Sequence, residues 1–270
     1  MSHSFEAKLA HQFNAFPTVA TTRALDALER APARAPGREP AGAPRESDMA
    51  STAAGVTHLV LDVDGTHLEG DLAIPEEATA LVVFVHGSGS SRHSPRNQYV
   101  AELLRSEGMG TFLFDLLTEE EEEFDVESGR LRFDVDLLAD RLVRVLDLLK
   151  ERPETTGLPV CLFGASTGAA AALIAAAKRP HDVCCVVSRG GRPDLAGPIL
   201  REVQAPVLLI VGEADEPVLE LNEWALERIE APSDLVIVPG ATHLFEEPGA
   251  LDHVARLALD WVRRYSAAED

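Results

Sequence analysis

Residues Leu162–Leu173 read LFGASTGAAAAL: an apolar run, then Gly164-Ala165-Ser166-Thr167-Gly168, then an alanine-rich stretch. A strand that passes straight into a helix through Gly-x-Ser-x-Gly forces the serine into a strained backbone conformation. Side chains at the two glycines would collide with neighbouring backbone. Such a turn lifts the Ser166 hydroxyl above the carboxyl edge of a sheet. The N–H of Thr167, at the start of the helix, faces the same space, where an oxyanion meets an unpaired donor and the positive end of the helix dipole. The bare motif is often accidental, and the strand before it and the helix after it give it meaning.

Outward from this turn, strand and helix patterns alternate, the signature of an α/β fold with a mostly parallel sheet covered by helices on both faces. Val56–Asp64 and His67–Ile74 alternate around Asp64-Gly65-Thr66 and read as an antiparallel hairpin at the leading edge. Leu81–Val85, Thr111–Asp115, Pro159–Phe163, Val183–Ser188, Pro206–Val211 and Leu235–Val238 read as the remaining strands. Helical periodicity marks Asn97–Glu107, Phe133–Leu149, Thr167–Lys178, Leu219–Ile229 and Ala250–Tyr265. The acidic run Glu119–Glu123, continuing to Asp125, reads as a solvated loop, since bare charge lacks the fixed geometry that a hard cation needs.

Composition narrows the function classes. A chain of 270 residues with 46% hydrophobic content can bury one enzyme-sized core. Residues 1–55 are expected to be a disordered Ala/Pro/Arg-rich extension, with too few large apolar residues across Ala24–Ser51 to fold alone, and residues 56–270 the globular domain. A formal net charge of -21 repels phosphate backbones and anionic bilayers, so neither nucleic acid nor a membrane is expected as partner. Cys161, Cys184 and Cys185 sit in apolar runs without metal or disulfide spacing, so no metal site is expected and the thiols read as core residues in a reducing compartment. With neither a signal-like apolar stretch nor a run of roughly 18 apolar residues, the expected location is the cytoplasm.

A serine hydroxyl needs a general base and an orienting acid, expected downstream in the order acid, then histidine. Asp215 closes Pro206–Asp215 (PVLLIVGEAD) and is the favoured acid, with Glu213 two residues away as the alternative. His243, in DLVIVPGATHLF, follows the last strand where a base belongs; it alone among nine histidines has a post-strand position after the acid. The loop FVHGSGSSRHSPRN after Leu81–Val85 is expected to supply a second oxyanion donor. The Ser88 N–H is the choice, with the neighbouring Gly87 or Gly89 N–H as the alternative, and both glycines allow close backbone approach. His86 reads as a brace of this loop rather than a second base, and Arg92, His93 and Arg96 as ordering it. Arg189 and Arg192, in VVSRGGRPDLAG, lie near the expected pocket and either hold a substrate carboxylate or pair with the acidic surplus.

HGSG at His86–Gly89, GASTG at the elbow, GEAD at Gly212–Asp215 and GATHLF at Gly240–Phe245 occur in one order over Val56–Tyr265, and together they resemble the α/β-hydrolase family, in particular its dienelactone-hydrolase-like branch. The resemblance implies an eight-stranded, mostly parallel sheet, a Ser166-Asp215-His243 triad and no cofactor. One departure stands out: dienelactone hydrolases proper use a cysteine nucleophile, whereas this chain has Ser166. The seventeen residues between Ser188 and Pro206 leave no room for a large cap domain, so an open site is expected. The expected chemistry is hydrolysis of a small-molecule carboxylic ester or related acyl substrate through an acyl-enzyme. The competing expectations are a thioesterase or acyltransferase with the same triad, and a catalytically idle binding domain.

Overall fold

The computed structural model of the protein describes residues 55–267. The chain divides into residues 1–44 and 45–270. The first unit, and with it the expected N-terminal extension, lies outside the described residues.

β1 (Thr57–Val63) and β2 (Thr66–Ala73) pair antiparallel from Thr57 opposite Leu72 to Val63 opposite Thr66. Asp64 (φ 52°) and Gly65 (φ 88°) both take positive φ, the backbone demanded by a two-residue turn that follows strand twist. β1 buries only alternate residues, as expected of an edge strand with one wet face. The inner strands β3 (Leu81–Val85), β4 (Gly110–Phe114), β5 (Val160–Ala165), β6 (Val183–Arg189) and β7 (Val207–Gly212) are apolar nearly throughout because helices cover both faces; β8 (Ser233–Val238) closes the far edge. The eight strands lie in the order β1-β2-β4-β3-β5-β6-β7-β8, and every pairing from β4 onward is parallel.

Alternate residues of these strands feed two cores. Val83, Val85, Leu162, Val186 and Leu209 pack beneath α3 (Val135–Lys150), α4 (Thr167–Lys178) and α5 (Glu216–Leu226). Val82, Phe84, Cys161, Phe163, Cys185 and Ile210 pack against α1 (Pro95–Ser106) and α6 (Ala250–Ser266). Cys161 and Cys185 are thus small core residues, and all three cysteines are free thiols. α4 buries ten consecutive residues, six of them among its alanines at 169–172, 175 and 176; small side chains let it sit against the sheet, α3 and the segment Pro193–Glu202 at once.

The solvated-loop reading of the acidic run is overturned: Glu119–Asp125 is the short helix α2. Thr118 caps it, its hydroxyl accepting the Glu121 N–H while the Glu121 carboxylate accepts the Thr118 N–H. Glutamates in the first turn also favour the helix dipole. Arg141 on α3 forks onto Glu121 at 2.5 and 2.7 Å. Asp125, fully buried, accepts from the Ser128 hydroxyl, the Leu131 and Arg132 N–H groups and the Arg132 guanidinium.

β6 connects to β7 through the 3₁₀ segment Pro193–Glu202, kinked at Gly197 (φ 58°), so the link is one short segment packed against α4 and α5 rather than a cap domain. Among the described residues no helix is long and apolar enough to cross a membrane.

Candidate active site

Ser166 sits between β5 and α4 with φ 51° and ψ −123°, a conformation that costs an L-residue of order 1–3 kcal/mol and persists only where surroundings impose it. Those surroundings are visible. The Ser166 N–H donates to the Arg189 carbonyl (3.3 Å), and the Ser166 carbonyl accepts from Arg192 N–H (2.9 Å) and Ala169 N–H (3.2 Å). A Cβ at Gly168 would lie 2.2 Å from the Val85 carbonyl oxygen and 2.4 Å from that of His86; one at Gly164 would lie 2.5 Å from Ala169 Cα. Both glycines therefore let the elbow press against the end of β3 and the first turn of α4.

Asp215, the N-cap of α5, and His243, after β8, meet: His243 Nδ1 and Asp215 Oδ2 are 2.6 Å apart, with side chains only 11% and 13% exposed. A carboxylate at Nδ1 fixes the ring so that Nδ1 carries the proton and Nε2 is free to act as base. Glu213, the alternative acid, is turned elsewhere; its carboxylate accepts the Gly240 N–H at 2.8 Å and braces the turn after β8. Gly190 (φ 51°) backs the imidazole, for a Cβ there would stand 3.5 Å from His243 Cε1 and 3.3 Å from the His243 carbonyl oxygen. Among the described residues no hydrogen bond joins Ser166 Oγ to the ring. Catalytic hydrogen bonds are commonly long before substrate binds.

The oxyanion loop is built more tightly than its glycines suggest. The Ser88 N–H donates to Thr167 Oγ1 at 2.9 Å, so this donor is engaged with the residue after the nucleophile rather than presented bare to the site. His86 is a brace: its Nε2 accepts the Leu116 N–H (3.0 Å), which leaves Nδ1 to donate to the Gly87 carbonyl (2.9 Å). Burial lowers the His86 pKa, only partly opposed by the Gly87 hydrogen bond and the Asp115 charge, and the ring is held neutral. Arg92 ties the loop to β2 and the end of β4, bonding Asp115 and reaching Glu69 at 2.5 Å. Arg96 lies 3.9 Å from Glu246.

Of the two arginines considered from the sequence for a substrate carboxylate, Arg192 takes the other expected role and pairs with an acidic side chain. Arg192 is forked onto Asp194 at 2.8 Å on each oxygen, because the turn that starts Pro193–Glu202 brings the pair together; its charge is already matched. Arg189 is buried, with its guanidinium 5.8 Å from the Phe245 ring centroid. A cavity of about 340 Å³ opens at the opposite edge of the sheet, where Leu81, Val160 and Val183 begin β3, β5 and β6, and none of the candidate site residues lines it. Among the described residues no group of His, Cys, Asp and Glu is placed to hold a metal ion. Asn222, fully buried on α5, was not among the sequence candidates; its amide reaches the Gly191 carbonyl beside the elbow. A polar residue on the apolar stripe Val218, Leu221, Ala225 was the available signal.

Comparison with known proteins identifies the family and the fold. The family described as serine aminopeptidase, S33 matches residues 76–191. A Mycobacterium tuberculosis protein named as a phosphoribosyl transferase is 58% identical over 192 residues, and the same match recurs in a second strain. It covers 71% of this chain, which spans 42% of the length of those curated relatives. The crystal structure of a dienelactone hydrolase from Anabaena variabilis is 55% identical, covers 78% of this chain and 98% of its own, and superposes with a TM-score of 0.75. Est1E from Butyrivibrio proteoclasticus, 17% identical over 76% of this chain and 99% of its own, shares the fold at a TM-score of 0.63. The chain belongs to the α/β-hydrolase superfamily, in its dienelactone-hydrolase-like branch.

Proposed function

We propose that the protein hydrolyses carboxylic esters or related acyl substrates through an acyl-enzyme formed on Ser166. The observation that carries this reading is the 2.6 Å pair between His243 Nδ1 and Asp215, at the same carboxyl edge of the sheet as the strained Ser166. Ser166 Oγ attacks the substrate carbonyl carbon while His243 Nε2 takes its proton, and Asp215 stabilises the imidazolium. The carbonyl oxygen becomes an oxyanion received by the Thr167 N–H, at the first position of α4, and by the Ser88 N–H as it turns from Thr167 Oγ1. His243 returns the proton to the leaving alcohol as the carbon–oxygen bond breaks. Water then attacks the acyl group, His243 takes its proton, and collapse releases the acid and restores Ser166.

The relative from Anabaena variabilis is named a dienelactone hydrolase, and a cyclic enol ester lies within the proposed class. The name phosphoribosyl transferase attaches to proteins of which this chain spans 42%, and the loop arginines that a phosphate would seek are already engaged: Arg92 with Asp115 and Glu69, Arg192 with Asp194. Ester hydrolysis therefore has the stronger support.

The test is turnover of p-nitrophenyl esters and of a lactone by the wild type and Ser166→Ala, with fluorophosphonate labelling in parallel. The wild type should label and turn over, while Ser166→Ala should fold, fail to label and lose about 10⁴-fold or more in kcat/KM. Labelling that survives in Ser166→Ala, or a wild type inert to both, would sink the reading.

A further inference from the structure

One short strap holds the nucleophile. Arg189 and Arg192 bond the Ser166 backbone on its two sides, and Gly190 between them backs the His243 ring. Residues 189–192 therefore set the spacing of Ser166 and His243. The strap's middle is fixed from outside by Asn222. Its Nδ2 donates to the Gly191 carbonyl at 3.0 Å and to the Val218 carbonyl at 2.7 Å, and two carbonyl partners decide which end of the amide is nitrogen. Gly191 itself is wedged, since a Cβ there would stand 1.9 Å from Ser188 Oγ and 2.6 Å from Ala169 Cβ. Asn222 lies on α5, the helix that Asp215 caps at its N-terminus. A single buried amide thus joins the helix of the acid to the strap of the nucleophile.

The chemistry of the position points beyond packing. Val218, Leu221 and Ala225 make the rest of this buried stripe apolar, and an apolar residue would satisfy it without desolvating an amide. Asn222 Oδ1 has no partner among the described residues, so the side chain is only half satisfied as a structural group. What it does achieve is to seat the Gly191 carbonyl. We propose that Asn222 is a positioning residue that locks the 189–192 strap to the acid-bearing helix and so holds Ser166, His243 and Asp215 in mutual register. The catalytic half of this inference rests on the hydrolase reading above; the structural half does not.

Two readouts on the full chain separate them. Asn222→Leu keeps the branched side-chain shape at somewhat larger volume and removes the donor, and Asn222→Ala is the second variant should leucine prevent folding. Amide hydrogen exchange at Ser166 and Arg192 reads the strap directly. It should quicken by about 10-fold or more in the variant, while amides at the centre of β7 keep wild-type rates. With p-nitrophenyl acetate, kcat should fall by about 10- to 100-fold with KM within about two-fold, the signature of a misplaced nucleophile rather than a lost binding contact. Global loosening would instead raise exchange in β7 as well, and that outcome overturns the proposal. Wild-type exchange and kcat in a folded variant also overturn it. A wild-type protein inert to fluorophosphonate overturns the hydrolase reading, and the catalytic role of Asn222 with it.

Discussion

The Ser88 N–H donates to Thr167 Oγ1 across 2.9 Å, so the two residues proposed to receive the oxyanion are bonded to each other. Ser88 is buried, and without this acceptor its N–H would be an unpaired donor, at a cost of about 1–3 kcal/mol. Thr167→Val removes that acceptor and keeps the side-chain shape. The variant should lose about 1–3 kcal/mol of stability in urea unfolding yet retain fluorophosphonate labelling within a few-fold, because the oxyanion satisfies the same N–H. Labelling slowed by tenfold or more would mean that the hydroxyl takes part in the reaction itself.

Asp215 and Glu213 are two residues apart, and only one faces the imidazole. Asp215→Asn should keep the fold and lower kcat by about 10⁴-fold, since an amide favours the wrong tautomer of His243. Glu213→Gln should stay within a few-fold of wild type, because an amide oxygen can still accept the Gly240 N–H. Comparable losses in both variants would contradict the assignment of the acid.

Much of this site could be read from residue pattern because its parts lie at strand ends. Ser166, Asp215 and His243 each follow an apolar run, and such runs reveal strands without knowledge of their neighbours. The helix Thr167–Lys178 was legible to the residue because Gly-x-Ser-x-Gly fixes its start and Pro180 bounds its end. What stayed hidden depends on partners far away in the chain: Ser88 with Thr167, 79 residues apart, and Asn222 with Gly191, 31 apart. The helix Glu119–Asp125 was missed for another reason. Charge dominated the reading of five glutamates, whereas the capping pair Thr118 and Glu121, spaced as a helix start requires, carried the better signal.

Asp125 makes acid stability testable. Burial raises its pKa, but the Leu131 and Arg132 N–H groups, the Ser128 hydroxyl and the Arg132 guanidinium outweigh this and hold the carboxyl down to about 2. A depressed carboxyl contributes stability above its unfolded value and loses it as pH falls toward the folded one. Asp125→Asn should therefore cost about 2 kcal/mol at pH 7, and the gap to wild type should close as pH drops from about 4 toward 2. Urea unfolding across that range measures it. A gap that does not narrow would assign the loss to packing rather than to ionisation.

His86 gives the opposite end of the acid range. Burial lowers its pKa, so below about 6.5 the unfolded chain takes up a proton that the folded one refuses. The unfolded state then binds more protons, and stability must fall as pH falls, starting near 6.5 and levelling off below the folded value. His86→Gln removes the titration, while its amide can still accept the Leu116 N–H and donate to the Gly87 carbonyl. Between pH 7.5 and 5.5 the wild type should lose more stability than His86→Gln, measured as the shift in urea midpoint. Because the neutral ring joins the end of β3 to the chain after β4, the same acidification should loosen the loop that carries Ser88, and exchange of the Leu116 amide should quicken with it. An equal loss in both proteins would show that protonation of His86 contributes nothing to acid sensitivity.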